Sequence, residues 1–235
     1  MDRIAEVWEH VLPGDPVTLT GAPVLAVLVA ALVAVAVRPV WGVLRLGVTL
    51  VHELGHAGVG VLSGRRFTGF VLRGDMSGHA VTVGPARGAG RVLTTWAGYP
   101  MPAIVGAAAV WLAVRGWAPT LLTGVLVVLV AAALRVRSVL TAVVVLVVGA
   151  ATGALWWAGS DRLQAQVVVG AGIVLVVGAW RHLAAVATAP DRGTSDPAVL
   201  ARLTRVPRGV WVLSFAVVAA WATWLVVRTT WSAWA

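Results

Sequence analysis

Val51-His52-Glu53-Leu54-Gly55-His56-Ala57 lies inside an apolar run and reads His-Glu-x-x-His. Two histidines four positions apart fall on one helix face, one turn from each other. Neutral imidazoles so placed can share one zinc ion. Glu53, beside the first of them, is placed to take a proton from a water on that ion. The chain has three glutamates and five histidines, so neither residue is abundant enough to make the pattern by accident. Ionisable groups inside a membrane span are expensive and as a rule functional, which weighs against a merely satisfied buried cluster.

The surroundings set the class. Of 235 residues, 60% are hydrophobic and 11% charged, and the mean hydropathy is +0.92. Several runs reach spanning length with few charges, which implies an all-α polytopic membrane protein in a lipid bilayer. All 18 basic residues are arginine, and the net charge is +9. Arginines at span ends facing anionic lipid explain that charge without a nucleic-acid partner. With no cysteine there is no disulfide and no thiolate ligand, so any metal must be held by His, Asp or Glu. The first twenty residues hold four acids and no apolar core, so the first apolar run is expected to stay as a span and anchor.

About seven spans are expected within one membrane domain, residues 1–235. Residues 1–20 form a polar lead-in, with Glu6, Glu9 and His10 on a short solvated helix. Span one covers 21–37 and ends at Arg38-Pro39, because proline disfavours helix at the residue before it. Span two, 40–62, carries the motif. Its Arg45, Thr49, His52 and His56 are spaced four, three and four apart, one polar stripe that must face protein or water. The glycine-rich stretch 64–90 suits a small β-hairpin at the membrane surface, with strands at 67–72 and 80–83 around a turn that includes Asp75, Met76 and Ser77. Span three, 92–114, is broken by Pro100 and Pro102, and its Tyr99 is either an interface anchor or a group beside the site. Scaffold spans fill 118–188 as 118–134, 139–158 and 163–188. A polar loop at 189–206 precedes the last span, 209–227. Trp211 and Trp231, about 30 Å apart along a helix, suit two aromatic belts.

On this count thirteen arginines share the side of the N-terminus and four lie opposite, with Arg45 inside a span. The N-terminus, the hairpin, the 189–206 loop and the motif end of span two are therefore expected at the cytoplasmic face.

A catalytic zinc wants a third protein ligand and an open position. Downstream candidates are Asp75, His79, Asp161, His182, Asp191 and Asp196, of which Asp161 falls on the opposite side. Asp75 also suits a turn, and His79 an exposed strand. Asp196 before Pro197 suits a helix cap as well as a ligand.

The motif in its span resembles the site-2 protease family of intramembrane zinc metallopeptidases, and more narrowly its compact bacterial branch without a PDZ domain. Gly64-Arg65-Arg66, Asp75-Met76-Ser77-Gly78, Ala97-Gly98-Tyr99-Pro100 and Ser195-Asp196-Pro197-Ala198 carry that likeness, with Leu200, Leu203, Thr204 and Pro207. The Asn-Pro and Leu-Asp-Gly setting of the wider family's third ligand is absent. The resemblance implies one Zn²⁺ per chain on His52, His56 and Asp196, with Asp75 or His79 as alternatives to the last, and Glu53 as catalytic base. It implies hydrolysis of a peptide bond in or near a transmembrane segment of a membrane-anchored protein substrate, in a bacterial inner membrane. Two other readings of the residues stand beside it. One is a silent homologue that binds metal or partners without catalysis. The other is a metal-ion transporter, against which the motif-free spans offer no polar relay.

Overall fold

The computed structural model describes residues 7, 8, 10–18, 22–75, 77–190 and 193–233. Expectations placed on Arg3, Glu6, Glu9, Met76, Asp191 and Arg192 lie outside the described residues. The elements are α1 (Ala22–Ala36), α2 (Arg38–Leu62), β1 (Arg66–Leu72), β2 (Gly78–Val83), α3 (Ala89–Ala97) and α4 (Pro100–Val114). They continue with α5 (Ala118–Ala133), α6 (Val139–Ala158), α7 (Asp161–Thr188), α8 (Asp196–Thr204) and α9 (Arg208–Ser232).

The breaks follow local chemistry. Pro39 stands in the first turn of α2, where its missing N–H costs nothing, and α2 leaves α1 at 97°. Pro100 restarts the chain as α4 at 62° to α3, so the expected broken third span is two helices. Ser138 and Ser160 cap α6 and α7 by accepting from backbone N–H groups three residues on.

The interior is made by small residues. Ala103, Ala107 and Val110 of α4 pack against Val169 and Val176 of α7 and Ala222 of α9, all buried. At the crossing of α4 and α7, a methyl group on Gly106 would strike the Gly172 carbonyl, and one on Gly172 would strike the Gly106 carbonyl. The two backbones touch there, as small residues allow when lipid offers no hydrophobic drive.

The hairpin forms where expected, and β1 is packed into the protein. β1 and β2 pair antiparallel, with an irregularity between Phe67 and Gly69. Phe70 and Leu72 are fully buried with Leu50, Leu129 and Val145. β2 runs beside α2 from Thr82 near Gly60 to Gly78 against the Glu53 side chain. The outer edge of β1 is covered, because Phe70 N–H donates to the Arg135 carbonyl at 3.1 Å and Arg137 N–H donates to Phe70 at 3.2 Å. Apolar side chains on β1 and the need to satisfy its edge pull the hairpin between the helices.

Among the described residues, fewer helices reach crossing length than the seven spans expected. By length and apolarity α6, α7 and α9 can each cross a membrane, and up to five crossings result if α1–α2 and α3–α4 are each one bent span. At 16 residues α5 is shorter. The described part of the lead-in is largely exposed and is held at the end of the fold away from the motif. Gly14 N–H donates to the Gly116 carbonyl at 2.9 Å, Val17 N–H to Val114 at 3.1 Å, and Trp156 Nε1 to the His10 carbonyl at 2.7 Å. The His10 ring lies between Trp156 and Trp157. These partners sit at the far end of α4, about 22 Å along the helix from Tyr99. α1 then runs beside α7 from Val27 at Gly170 to Val35 at Arg181, toward the motif end. If α1 and α2 together form one bent span, the N-terminal segment and the motif end lie on opposite sides. Reporters fused ahead of residue 10 and in the 84–88 loop are therefore expected on opposite sides of the membrane. Signals from one side would show that α1 and α2 cross separately.

Candidate functional site

His52 and His56 project from one face of α2, as their spacing requires. Asp196 is the first residue of α8, after the polar loop. The three donors converge. The Nε2 atoms of His52 and His56 are 3.1 Å apart, and Asp196 Oδ2 lies 3.3 Å from the first and 3.2 Å from the second. Among the described residues this is the one group of three such side chains able to hold a metal ion.

The residues fit a metal on three counts. Ligand atoms about 2.0–2.1 Å from a tetrahedral ion stand about 3.3–3.4 Å from one another, close to the observed triangle. The His56 Nδ1 donates to the Thr94 carbonyl at 2.6 Å, so that nitrogen carries the proton and Nε2 turns a lone pair inward. Gly98 lies against both Nε2 atoms, and a methyl group there would occupy the space on which the donors converge. Thr94 is in the last turn of α3, where helix carbonyls lack a donor within the helix. The break at Gly98-Tyr99 thus supplies both the acceptor that orients His56 and the room beside it.

Asp196 is not a helix cap. Ser195 occupies that position, and no side-chain capping bond forms. Desolvation would raise the Asp196 carboxyl, but the two imidazoles outweigh it and hold it below the usual carboxylate range. Asp75 stands elsewhere. It accepts from the Ser77 N–H at 3.0 Å and from the Ser77 hydroxyl at 2.6 Å, and these bonds lower its pKa from the ordinary value. His79 is exposed on β2 and lines the cavity without joining the triad. Asp161 is at the far end, on the first turn of α7. His182 faces the site from α7, with its ring centre 6.5 Å from that of His52.

Glu53 is buried against β2, touching Gly78 and accepting from the Ala80 backbone N–H. Tyr99 meets His52 edge-on at 4.8 Å and stacks on Phe215 at 5.2 Å, so it belongs beside the site and not at an interface belt. Glu53, Tyr99, His182 and the three donors border one cavity of about 650 Å³. Thr94, Gly98 and Ala80 carried no signal as individual residues. The family-like Ala97-Gly98-Tyr99-Pro100 stretch, the Pro100 break and the expected strand at 80–83 marked only their neighbourhood.

The sequence matches the Peptidase M50B-like family over residues 25–226. The chain belongs to that family. The match bears out the resemblance to the site-2 proteases and covers both segments that form the triad. No curated protein and no solved structure matches the chain.

In this M50B-like protein, Asp196→Asn is expected to keep the start of α8, because asparagine serves a helix start as well as aspartate does. It should nevertheless lower metal content from about one ion per chain to near zero. Metal analysis of the purified variants checks this, and loss in Asp75→Asn with retention in Asp196→Asn would move the third ligand to the hairpin. Gly98→Ala should cost about 1–3 kcal/mol of stability and also weaken metal retention, because its methyl group enters the donor triangle. Thermal unfolding and metal titration read the two effects separately.

Proposed function

We propose that the protein is a zinc-dependent intramembrane endopeptidase that hydrolyses a peptide bond in or near a transmembrane segment of a membrane-anchored protein. The observation that carries this is the placement of Glu53 in the same cavity as the His52–His56–Asp196 triangle, within a family of peptidases. Two imidazoles and one carboxylate form a three-ligand set that leaves a fourth position, the pattern of catalytic and not structural zinc. A bound zinc ion would supply Lewis-acid chemistry, polarising a scissile carbonyl and making water more acidic.

The chain's own groups do the rest. Thr94 and Asp196 orient His56, and Tyr99 braces His52. The Ala80 N–H holds the Glu53 carboxylate, which takes a proton as general base and returns it to the leaving amine as general acid.

On this reading the end that bears the site faces the cytoplasm in a bacterial inner membrane, and the arginine distribution supports it. Arg65, Arg66, Arg73, Arg87, Arg91, Arg135, Arg137, Arg202, Arg205 and Arg208 lie at that end, against Arg115, Arg162 and Arg228 at the other. Bent or shorter helices would complete the crossings that α6, α7 and α9 begin.

Glu53→Gln decides between this and a silent homologue. A peptidase variant should retain its zinc and lose about 10²–10⁴-fold in cleavage rate of a single-span substrate. Equal cleavage by both forms, or none by either across a panel of single-span proteins, would favour a metal-binding role without catalysis.

A further inference from the structure

The polar stripe of α2 has a member that this reaction does not use. Arg45 precedes Thr49 and His52 on one helix face and borders the same cavity. It is half-buried, yet its guanidinium makes no hydrogen bond or ion pair with any described residue. Arg181 on α7, although exposed, is provided for: it donates to the Val35 carbonyl and lies over the Trp41 ring at 4.3 Å. The carboxylates that border the cavity are engaged elsewhere, Asp196 by two imidazoles and Glu53 by the Ala80 N–H. A half-buried cation that meets no counter-group among the described residues is available to an anion that enters the cavity.

Its distance suggests which anion. Seven residues of α2 separate Arg45 from His52, a rise of about 10 Å. An extended peptide covers that in about three residues at roughly 3.3 Å each. We propose that Arg45 is an anion subsite that receives a carboxylate of the substrate about three residues from the bond that is cut. That carboxylate is an acidic side chain or a free C-terminus. A guanidinium suits it because its fork of N–H donors matches both carboxylate oxygens. This inference rests on the cavity being a peptide site, as proposed above.

Single-span Leu-Ala peptides of about 20 residues test it, with one Asp or one Asn moved through each position and with the C-terminus free or amidated. Binding is measured by fluorescence anisotropy to the Glu53→Gln protein in nanodiscs, so no turnover is needed. The expected result is about tenfold tighter binding of the acid at one position, or of the free terminus over the amide. An internal position identifies a side chain, and the terminal effect identifies a chain end. Adding Arg45→Gln should bring the ratio to one, Arg45→Lys should keep part of it, and Arg45→Glu should favour Lys at the same position. A ratio of one throughout, or one that Arg45→Gln leaves unchanged, overturns the subsite alone. Failure of every peptide to bind, neutral ones included, overturns the peptidase reading and the subsite with it.

Discussion

The contact on which the site depends is that of Asp196 with two imidazole nitrogens about one helical turn apart. Three electron-rich atoms at 3.1–3.3 Å repel unless something positive lies among them, a proton or a metal ion. Much of the nearby structure serves that contact. The His-Glu-x-x-His helix presents the nitrogens, and the broken third span gives up the Thr94 carbonyl to orient one of them. Gly98 clears the space, and the loop before α8 delivers the carboxylate.

The backbone around the site answers to lipid as well as to chemistry. Inside a bilayer, irregular segments persist only where protein or enclosed water satisfies their polar groups. The hairpin meets that demand twice. Its outer edge bonds to the 135–137 segment, and Leu72 N–H donates to the Thr141 hydroxyl at 2.7 Å. The helices without motifs are what make this enclosure possible. Their alanines, valines and touching glycines bring backbones close enough to hold a polar cleft beside them.

The helix break at Pro39, the break before Pro100 and the polar stripe of α2 could be read from residue types alone, because proline and period act locally. The two strands were also legible, although not their depth, which depends on Phe70 and Leu72 finding Leu50, Leu129 and Val145. The path of the first helix was not legible for a related reason. Its apolar run is long enough to suggest a span, but whether it pairs with α2 as one crossing is decided by its packing along α7, which no local pattern encodes. Asp196 was ambiguous between cap and ligand, since both demand a carboxylate before a helix. The ambiguity ends only when Ser195 is seen in the cap position.

Asp196 lies 140 positions after His56, on the far side of four apolar helices. Coordination across that interval would act as a clasp on the chain, removing loop-closure entropy much as a crosslink does, with a gain on the order of 5 kcal/mol for so long a loop. The clasp would join the motif helix to the last two helices, which otherwise meet it through side-chain packing at the cleft. Metal occupancy would then report on the assembly of the whole bundle. A chain that failed to bring α8 home would carry no ion, and so an incompletely folded copy would be an inert one.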